Sequence, residues 1–243
     1  MKKINTILAA VGALLMLSVT SANSVEFKAG VTANAMGAFA NAKETLKGDG
    51  TAATGITGRT TNEEAVIATS FASVFVEVAS DEMMGLGIGI SYAPEVLDMN
   101  KETRHIADDA AVGDHNNNDT NGGVQSVDGK INDLLGLYVT LPVGDSGAYV
   151  KAGYMQATMV TEESLATGSK YEDVDMTGYN IGGGYEGSLG DMAFWRAEGT
   201  YQMWDDIRAD GSEPNNGTTD TTKNRIDAEV GSVTGSLSIG MKF

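Results

Sequence analysis

Two histidines, His105 and His115, are the only imidazoles that this 243-residue chain could use for acid–base chemistry. Asp114 stands beside His115, and a histidine hydrogen-bonded to a carboxylate can act as a general acid or base. Neither histidine has a serine next to it in the sequence, so the pattern offers no adjacent nucleophile. We therefore expect ordinary loop histidines, no catalytic residues and a protein that is not an enzyme.

A second candidate site is a calcium loop at residues 117–128, in the same polar segment. Oxygen-bearing side chains occupy positions 1, 3, 5 and 12 of this stretch, with glycine at position 6, which is the spacing of an EF-hand loop. These oxygen ligands would be Asn117, Asp119, Asn121 and Asp128. The match is degenerate, because position 12 is normally a bidentate Glu and helices normally flank the loop. We expect no cofactor and keep calcium as the one alternative.

A third group consists of seven charged residues on the polar face of segments whose apolar residues alternate. They are Glu26, Lys28, Glu77, Lys151, Arg196, Glu198 and Lys242. An isolated buried charge is costly, so both signs must pair or stay hydrated. Two interpretations follow: a salt-bridge network that fills a narrow lumen, or a small water-filled pore whose charges tune ion preference. The elements that carry these residues favour the first interpretation.

Those elements are β-strands, because the apolar residues recur with a period of two. Near the end of the chain Leu237, Ile239 and Met241 share one face, while Ser236 and Ser238 share the other. The same alternation begins at Val25 and recurs in residues 84–92 and 195–203. Further strands are predicted in residues 65–80, 130–143, 148–160 and 172–186, which makes eight strands in all. Eight strands enclose an interior just wide enough for side chains to fill.

The connections between these strands alternate in length. Residues 41–64, 95–129, 161–171 and 205–224 form long polar links, whereas residues 81–83, 144–147 and 187–190 form tight turns. Antiparallel up-and-down pairing places every long link at one end of the sheet and every short turn at the other, as in outer-membrane barrels. Pro94, Pro142 and Pro214 are predicted at strand ends or in a loop, where a missing N–H breaks no central ladder.

Composition excludes several other classes of protein. The chain carries 16 Lys+Arg against 33 Asp+Glu, a formal net charge of -17, and no cysteine. A nucleic-acid binder needs a basic face, which this chain lacks. A disulfide scaffold, a zinc finger and a thiol enzyme all need cysteine. Most of the acidic residues fall in the four predicted long links, so the negative charge is mainly a property of the loops.

The first 24 residues have the pattern of a cleaved secretory signal. Residues 1–3 carry two lysines, residues 7–17 are apolar, and small residues stand at Ala22 and Ser24. The apolar run is too short for a membrane helix, which needs about 20 residues. We therefore predict a signal peptide at residues 1–24 and a single barrel domain at residues 25–243.

Alternation alone fits either a membrane barrel or a soluble lipocalin-like carrier that is apolar inside and polar outside. Three features favour the membrane. The polar face holds mostly Gly, Ser, Thr and Asn, unlike the dense Lys and Glu of a water-facing surface. The chain stops at the end of an amphipathic strand. Aromatic residues lie near strand ends on the apolar face, as interfacial girdles require: Phe27, Tyr92, Trp195, Tyr201 and Phe243.

The signal, the eight strands, the order of long links and short turns, and the terminal segment 235–243 (GSLSIGMKF) resemble the small Gram-negative outer-membrane β-barrel family. Opacity-type proteins and the transmembrane domain of outer-membrane protein A belong to this family. The resemblance implies a closed eight-stranded antiparallel up-and-down transmembrane barrel with four long extracellular loops and short periplasmic turns. It also implies that Phe243 serves as the assembly signal read by the barrel-assembly machinery.

The function predicted first is that of a non-enzymatic integral outer-membrane protein, either structural or surface-exposed, whose acidic loops serve envelope integrity, adhesion or surface recognition. The alternatives are a narrow porin-like channel for small solutes or cations and, third, a soluble lipocalin-like periplasmic carrier. The expected partners are outer-membrane lipid, lipopolysaccharide and the assembly machinery, with no nucleic acid. A monomer is expected.

Overall fold

The computed structural model describes residues 25–46, 59–80, 84–105, 124–164, 171–214 and 223–243. This described part is all β. Its nine strands are β1 Val25–Leu46, β2 Arg59–Ser80, β3 Leu86–His105, β4 Val124–Pro142, β5 Ala148–Ser164, β6 Val174–Ser188, β7 Ala193–Trp204, β8 Ile207–Pro214 and β9 Lys223–Lys242. Among these residues no helix has the length and hydropathy that a bilayer span requires.

The strands form a ring of eight, as the alternation predicts. Each strand from β1 to β6 pairs antiparallel with the next, β7 pairs with β9, and β9 pairs with β1. The remaining strand, β8, continues β7 along the same edge of β9. Between the pairs Met203↔Gly231 and Ile207↔Ala228, the β7–β8 side advances by four residues while β9 advances by three. This mismatch is a one-residue bulge. The predicted all-β, eight-stranded, up-and-down fold is confirmed.

The strands are longer than predicted, and all four predicted long links include strand residues. Residues 41–46 belong to β1, 59–64 to β2, 95–105 to β3, 124–129 to β4, 161–164 to β5, 207–214 to β8 and 223–224 to β9. Strands β1 and β2 each have 22 residues, whereas about 9–11 residues cross a bilayer. The ladders therefore continue well beyond membrane thickness, because their backbone pairing does not depend on burial.

Pro94 lies inside β3, although a strand end was expected for it. Pro142 and Pro214 are the last residues of β4 and β8, as proline's missing N–H favours. The register of β3 with β4 shifts between Glu95 and Leu97, and the pairing of β3 with β2 ends at Tyr92. A bulge beside Pro94 thus accommodates the proline within a continuous strand.

Tight turns join the strands at the end that carries the termini. Gly144 and Gly147 delimit the β4–β5 turn with φ of 65° and 86°, in the left-handed region that glycine adopts without a Cβ clash. A Cβ on Gly147 would also meet the carbonyl oxygen of Glu186, whereas the space around Gly144 is open. Gly147 therefore has both a conformational and a steric constraint.

Gly147→Ala is expected to destabilise the barrel by more than the roughly 1–2 kcal/mol of a left-handed alanine, because its Cβ also strikes the neighbouring strand. Urea unfolding of the detergent-refolded protein measures the loss. Gly144→Asn is the matched control, since asparagine tolerates positive φ and has open space there. Equal unfolding midpoints for the two variants would contradict the steric part of this explanation.

Candidate functional site

The most buried charges of the described chain form one ion pair inside the ring. Glu77 on β2 and Arg196 on β7 are 1 % and 3 % exposed. Two parallel hydrogen bonds join them: Arg196 Nη2 donates to Glu77 Oε1 at 2.6 Å and Nη1 donates to Oε2 at 2.8 Å. Both residues occupy inward positions of strands on different sides of the ring. Such bidentate pairs combine charge with fixed geometry.

Further charges extend this pair towards the chain termini. Arg196 Nε also donates to Glu186 at 2.7 Å, and Lys28 Nζ donates to Glu186 at 2.8 Å. Lys28 lies 3.1 Å from Glu26, and Lys242 lies 3.6 Å from the same carboxylate. The charges of this series alternate in sign, so each charged side chain lies next to one of opposite charge.

A second ion pair joins β5 and β7 inside the ring, where Lys151 Nζ donates to Glu198 Oε1 at 3.0 Å. All seven charged residues singled out in the sequence therefore lie inside the ring and in ion pairs. The lumen charge network consists of these seven residues and Glu186. Sequence reasoning missed Glu186, which ends a predicted strand. Its even number, shared with the inward Gly182 and Gly184 of β6, is the signal that would have assigned it to the lumen.

Aromatic rings surround the cations of this network. The Arg196 guanidinium carbon lies 5.1 Å from the Phe194 ring centre, 5.3 Å from that of Phe75 and 5.5 Å from that of Tyr149. Lys151 Nζ lies 4.2 Å from the centre of the Tyr138 ring. Ring faces attract cations within about 6 Å. The rings thus fill the lumen and stabilise the charges at the same time.

Glycine makes this filling possible. A Cβ on Gly30 would lie 2.7 Å from Phe75 Cε1, and one on Gly240 would lie 2.5 Å from Phe194 Cζ. Both distances are shorter than van der Waals contact, so each ring occupies the space that a side chain would need. The high glycine content therefore serves close packing of rings against the inner wall.

Next to the network lies a cavity of about 80 Å³ whose wall combines hydroxyl, amide and charged side chains with aromatic and aliphatic ones. On its β1–β9 wall, the opposed residues Thr32 and Ser238 hydrogen-bond at 2.8 Å, and Asn34 accepts from Ser236 at 2.7 Å. The Oδ1 atom of Asn180, on the same wall, is buried and has no hydrogen-bond partner within the described protein. The volume and this free acceptor suit a few water molecules or a small polar group.

Beyond the cavity, on the side away from the tight turns, the β1–β4 side of the lumen is apolar. Met36, Ala93 and Val96 are at most 6 % exposed and form a cluster against which Phe71 and Leu134 pack. We call these five residues the upper apolar cluster. Met36 stands on the polar parity of β1, so the alternation pointed it inward without indicating what it would meet there. Only the ring brings it together with residues of β2, β3 and β4.

The calcium and histidine candidates lie mostly outside the described residues. His115, Asn117, Asp119 and Asn121 fall there, and His105 is the last described residue of β3. Asp128 stands in β4, opposite Glu162 of β5, so the end of the predicted calcium loop is extended strand. Calcium binding stays a prediction. Within the described ranges no group of three or more acidic or histidine residues is placed to hold a metal ion.

No protein-family model matches the chain, and no curated protein matches it either. Among solved structures, the outer membrane protein OprG from Pseudomonas aeruginosa is similar at 15 % identity, covering 89 % of this chain and 97 % of that one, with a TM-score of 0.41. The attachment invasion locus protein Ail of Yersinia pestis is similar at 11 % identity, covering 88 % and 99 %, with a TM-score of 0.39. The outer membrane protease OmpT from Escherichia coli is similar at 11 % identity, covering 90 % and 97 %, with a TM-score of 0.42.

These likenesses concern the fold alone. The class that this chain's own geometry defines is an eight-stranded up-and-down barrel with an apolar exterior and a filled, ion-paired lumen. The solved structures are examples of outer-membrane barrels, the kind of protein that the sequence resembles.

Arg196→Met is expected to lower the free energy of unfolding by about 3–5 kcal/mol, because it leaves the buried Glu77 carboxylate without its partner. The double variant Glu77→Leu with Arg196→Met removes both charges and should recover most of that loss. Urea unfolding in detergent measures both. Asp210→Asn is the control, since Asp210 and Arg225 form an exposed pair whose removal should cost about 1 kcal/mol or less. A double variant no more stable than the single one would contradict this prediction.

Proposed function

We propose that this chain is a non-enzymatic integral protein of the bacterial outer membrane with a structural or surface-recognition role. The observation that carries the proposal is the apolar belt on the outside of the ring. Val31, Leu237 and Ile239 are 61 %, 66 % and 63 % exposed. Further outward residues continue the belt around the ring, among them Val74, Leu137, Val139, Val150, Ile181, Val233 and Met241.

This belt contrasts with the charged interior. A soluble monomer rarely exposes an apolar patch larger than a few hundred Å², and a soluble carrier barrel keeps its apolar face inside. Here the ion pairs are inside and the aliphatic side chains are outside. Lipid is the environment in which that arrangement is stable, so the membrane interpretation is preferred to the lipocalin-like carrier.

Aromatic pairs border the belt at both ends. Phe27 and Phe243 lie 6.2 Å apart by ring centres, and Tyr185 and Trp195 lie 5.7 Å apart, near the tight turns. At the other end of the belt, Phe39 lies 6.4 Å from Tyr201 and Tyr154 lies 5.6 Å from Tyr179. Two aromatic rows separated by aliphatic residues match the girdles of a barrel that spans a membrane.

The filled lumen supports a structural role over conduction. The charge network and its aromatic rings occupy the half near the tight turns, and the upper apolar cluster occupies the β1–β4 side of the other half. The barrel would then act as a rigid support for the segments that join these strands. Surface recognition is proposed for the predicted acidic links on their charge in the sequence, because rigid scaffolds commonly carry function on loops.

Phe243 is proposed as the contact with the barrel-assembly machinery. Its N–H donates to the Phe27 carbonyl at 2.9 Å, and Phe27 N–H donates back at 3.2 Å. These two bonds extend to Phe243 the β1–β9 ladder that closes the ring. Outer-membrane lipid and lipopolysaccharide would surround the belt. A cleaved signal at residues 1–24, outside the described residues, would direct export.

Leu237→Lys is expected to impair insertion into lipid vesicles, because a lysine facing the middle of the apolar layer costs about 2–4 kcal/mol. Leu237 lies between the level of Tyr201 and the terminal Phe243. Folding is measured by heat-modifiable gel migration, since closed membrane barrels stay compact in detergent until boiled.

Val66→Lys is the matched control, because Val66 pairs with Phe39 at the far border of the belt, where the cost falls to about 0–1 kcal/mol. Equal folding of both variants, or a wild-type protein that stays soluble without detergent, would contradict the membrane location. Stable single-channel conductance of the purified protein in planar bilayers would contradict the closed lumen.

A further inference from the structure

The wall of the ring is incomplete between β2 and β3. Their ladder has seven residue pairs, from Ser80↔Leu86 to Val74↔Tyr92. Both strands continue much further, to Arg59 and His105, and pair there with β1 and β4 respectively. We call the facing unpaired stretches, residues 66–73 of β2 and 93–98 of β3, the seam.

Pro94 and the bulge after it account for the seam. Proline has no N–H to donate to β2. The register shift leaves Val96 without a partner on β4. The Val96 carbonyl instead accepts a hydrogen bond from the Thr69 hydroxyl at 3.1 Å. A side-chain bond therefore crosses the seam where backbone bonds would otherwise continue the ladder.

The seam begins within the apolar layer of the proposed membrane span. A strand needs about 9–11 residues to cross, and only seven pairs join β2 to β3. The outward neighbours at the last pair, Val74 and Tyr92, are still apolar or aromatic. In hydrocarbon, backbone N–H and C=O groups must form hydrogen bonds within the protein. An interrupted ladder at this height therefore costs free energy unless a bound molecule occupies the opening.

The upper apolar cluster lies directly behind the seam. Phe71 comes from β2, Ala93 and Val96 come from β3, and Ala93 is 1 % exposed. Phe71, Ala93 and Leu134 also line the polar cavity. Only apolar side chains and the Thr69–Val96 hydrogen bond thus separate the lipid side of the seam from a cavity lined with hydroxyl and amide groups. A molecule can pass between such side chains when they change rotamer, whereas passage through a continuous ladder would require backbone hydrogen bonds to break.

We propose that the seam is a lateral entrance by which a single-chain amphiphile with a small uncharged head enters the lumen from the membrane. The inference rests on the proposed membrane location. The alkyl chain lies among the side chains of the upper apolar cluster, and the head reaches the polar cavity. The head is uncharged because the nearby ions are already paired, Arg196 with Glu77 and Lys151 with Glu198. Hydroxyl and amide groups, including the free Asn180 acceptor, remain to bind it.

The absence of cysteine allows a direct test, because Ser73→Cys places a single thiol on the cavity wall. In vesicles, a long-chain N-alkylmaleimide should label this thiol in the folded protein, while a sulfonated, membrane-impermeant maleimide should not. A monoacylglycerol should slow labelling several-fold, whereas the fatty-acid anion of the same chain length should not.

Sealing the seam should block the label. Pro94→Val restores a backbone donor and should reduce labelling by the alkylmaleimide at least several-fold. Ala93→Leu, which fills the passage, gives a second variant should the first not fold. Pro142→Val, a proline replacement at the far end of β4, is the matched control and should label like the parent.

Equal labelling in the sealed and control variants, or faster labelling by the sulfonated reagent, would overturn the entrance. Stronger protection by the fatty-acid anion would overturn the uncharged head. Heat-modifiable migration is measured on every sample. A variant that remains heat-modifiable but labels unchanged refutes the entrance without affecting the membrane location, whereas loss of heat-modifiable migration in the parent refutes the location itself.

Discussion

The interior of this protein depends on the closure of eight strands into one ring, because that ring is only wide enough for side chains. A charge that points inward must meet an opposite charge across a short distance, and Glu77 and Arg196 do so with two hydrogen bonds. Rings that point inward must press against the wall, and Gly30 and Gly240 provide the space. Ion pairs, aromatic rings and wall glycines are three consequences of the same limited width.

The lumen is arranged in layers along the barrel. Charges and aromatic rings fill the part near the tight turns, hydroxyl and amide groups line a cavity in the middle, and the part beyond holds apolar side chains on the β1–β4 side. Each layer draws on several strands: the charge network uses β1, β2, β5, β6, β7 and β9, and the upper apolar cluster uses β1 to β4. A layer of this kind is stable only when its strands are held in register, so the continuous ladders around most of the ring fix its chemistry.

At the seam, β2 and β3 run on side by side after their pairing ends. A proline in the middle of a sheet removes a ladder hydrogen bond, and here the bulge beside Pro94 turns that loss into a local opening. The strands on both sides of the seam remain held by β1 and β4. The wall can therefore be incomplete at one height without disturbing the closed ring below it.

The sequence by itself determined the ring of eight, its up-and-down order and the face on which the strand side chains lie, because a period of two is a local property of an extended chain. It did not determine the additional strand β8, which lies in a predicted link. Glu77 and Arg196 were assigned to the lumen on parity alone. Parity also assigned Lys28 and Lys151, but it could not show which charge each would meet.

Only the tertiary structure decided those partners, because residues more than a hundred positions apart meet through ring closure and strand register. The same reason explains why the upper apolar cluster around Met36 was not predicted. The strand ends and the position of Pro94 were also decided by pairing between strands, since neither the extension of β3 to His105 nor the bulge at Val96 has a signature in the local alternation. The alternation in the sequence determines which face of a strand each side chain occupies, whereas contacts across the lumen depend on how the ring closes.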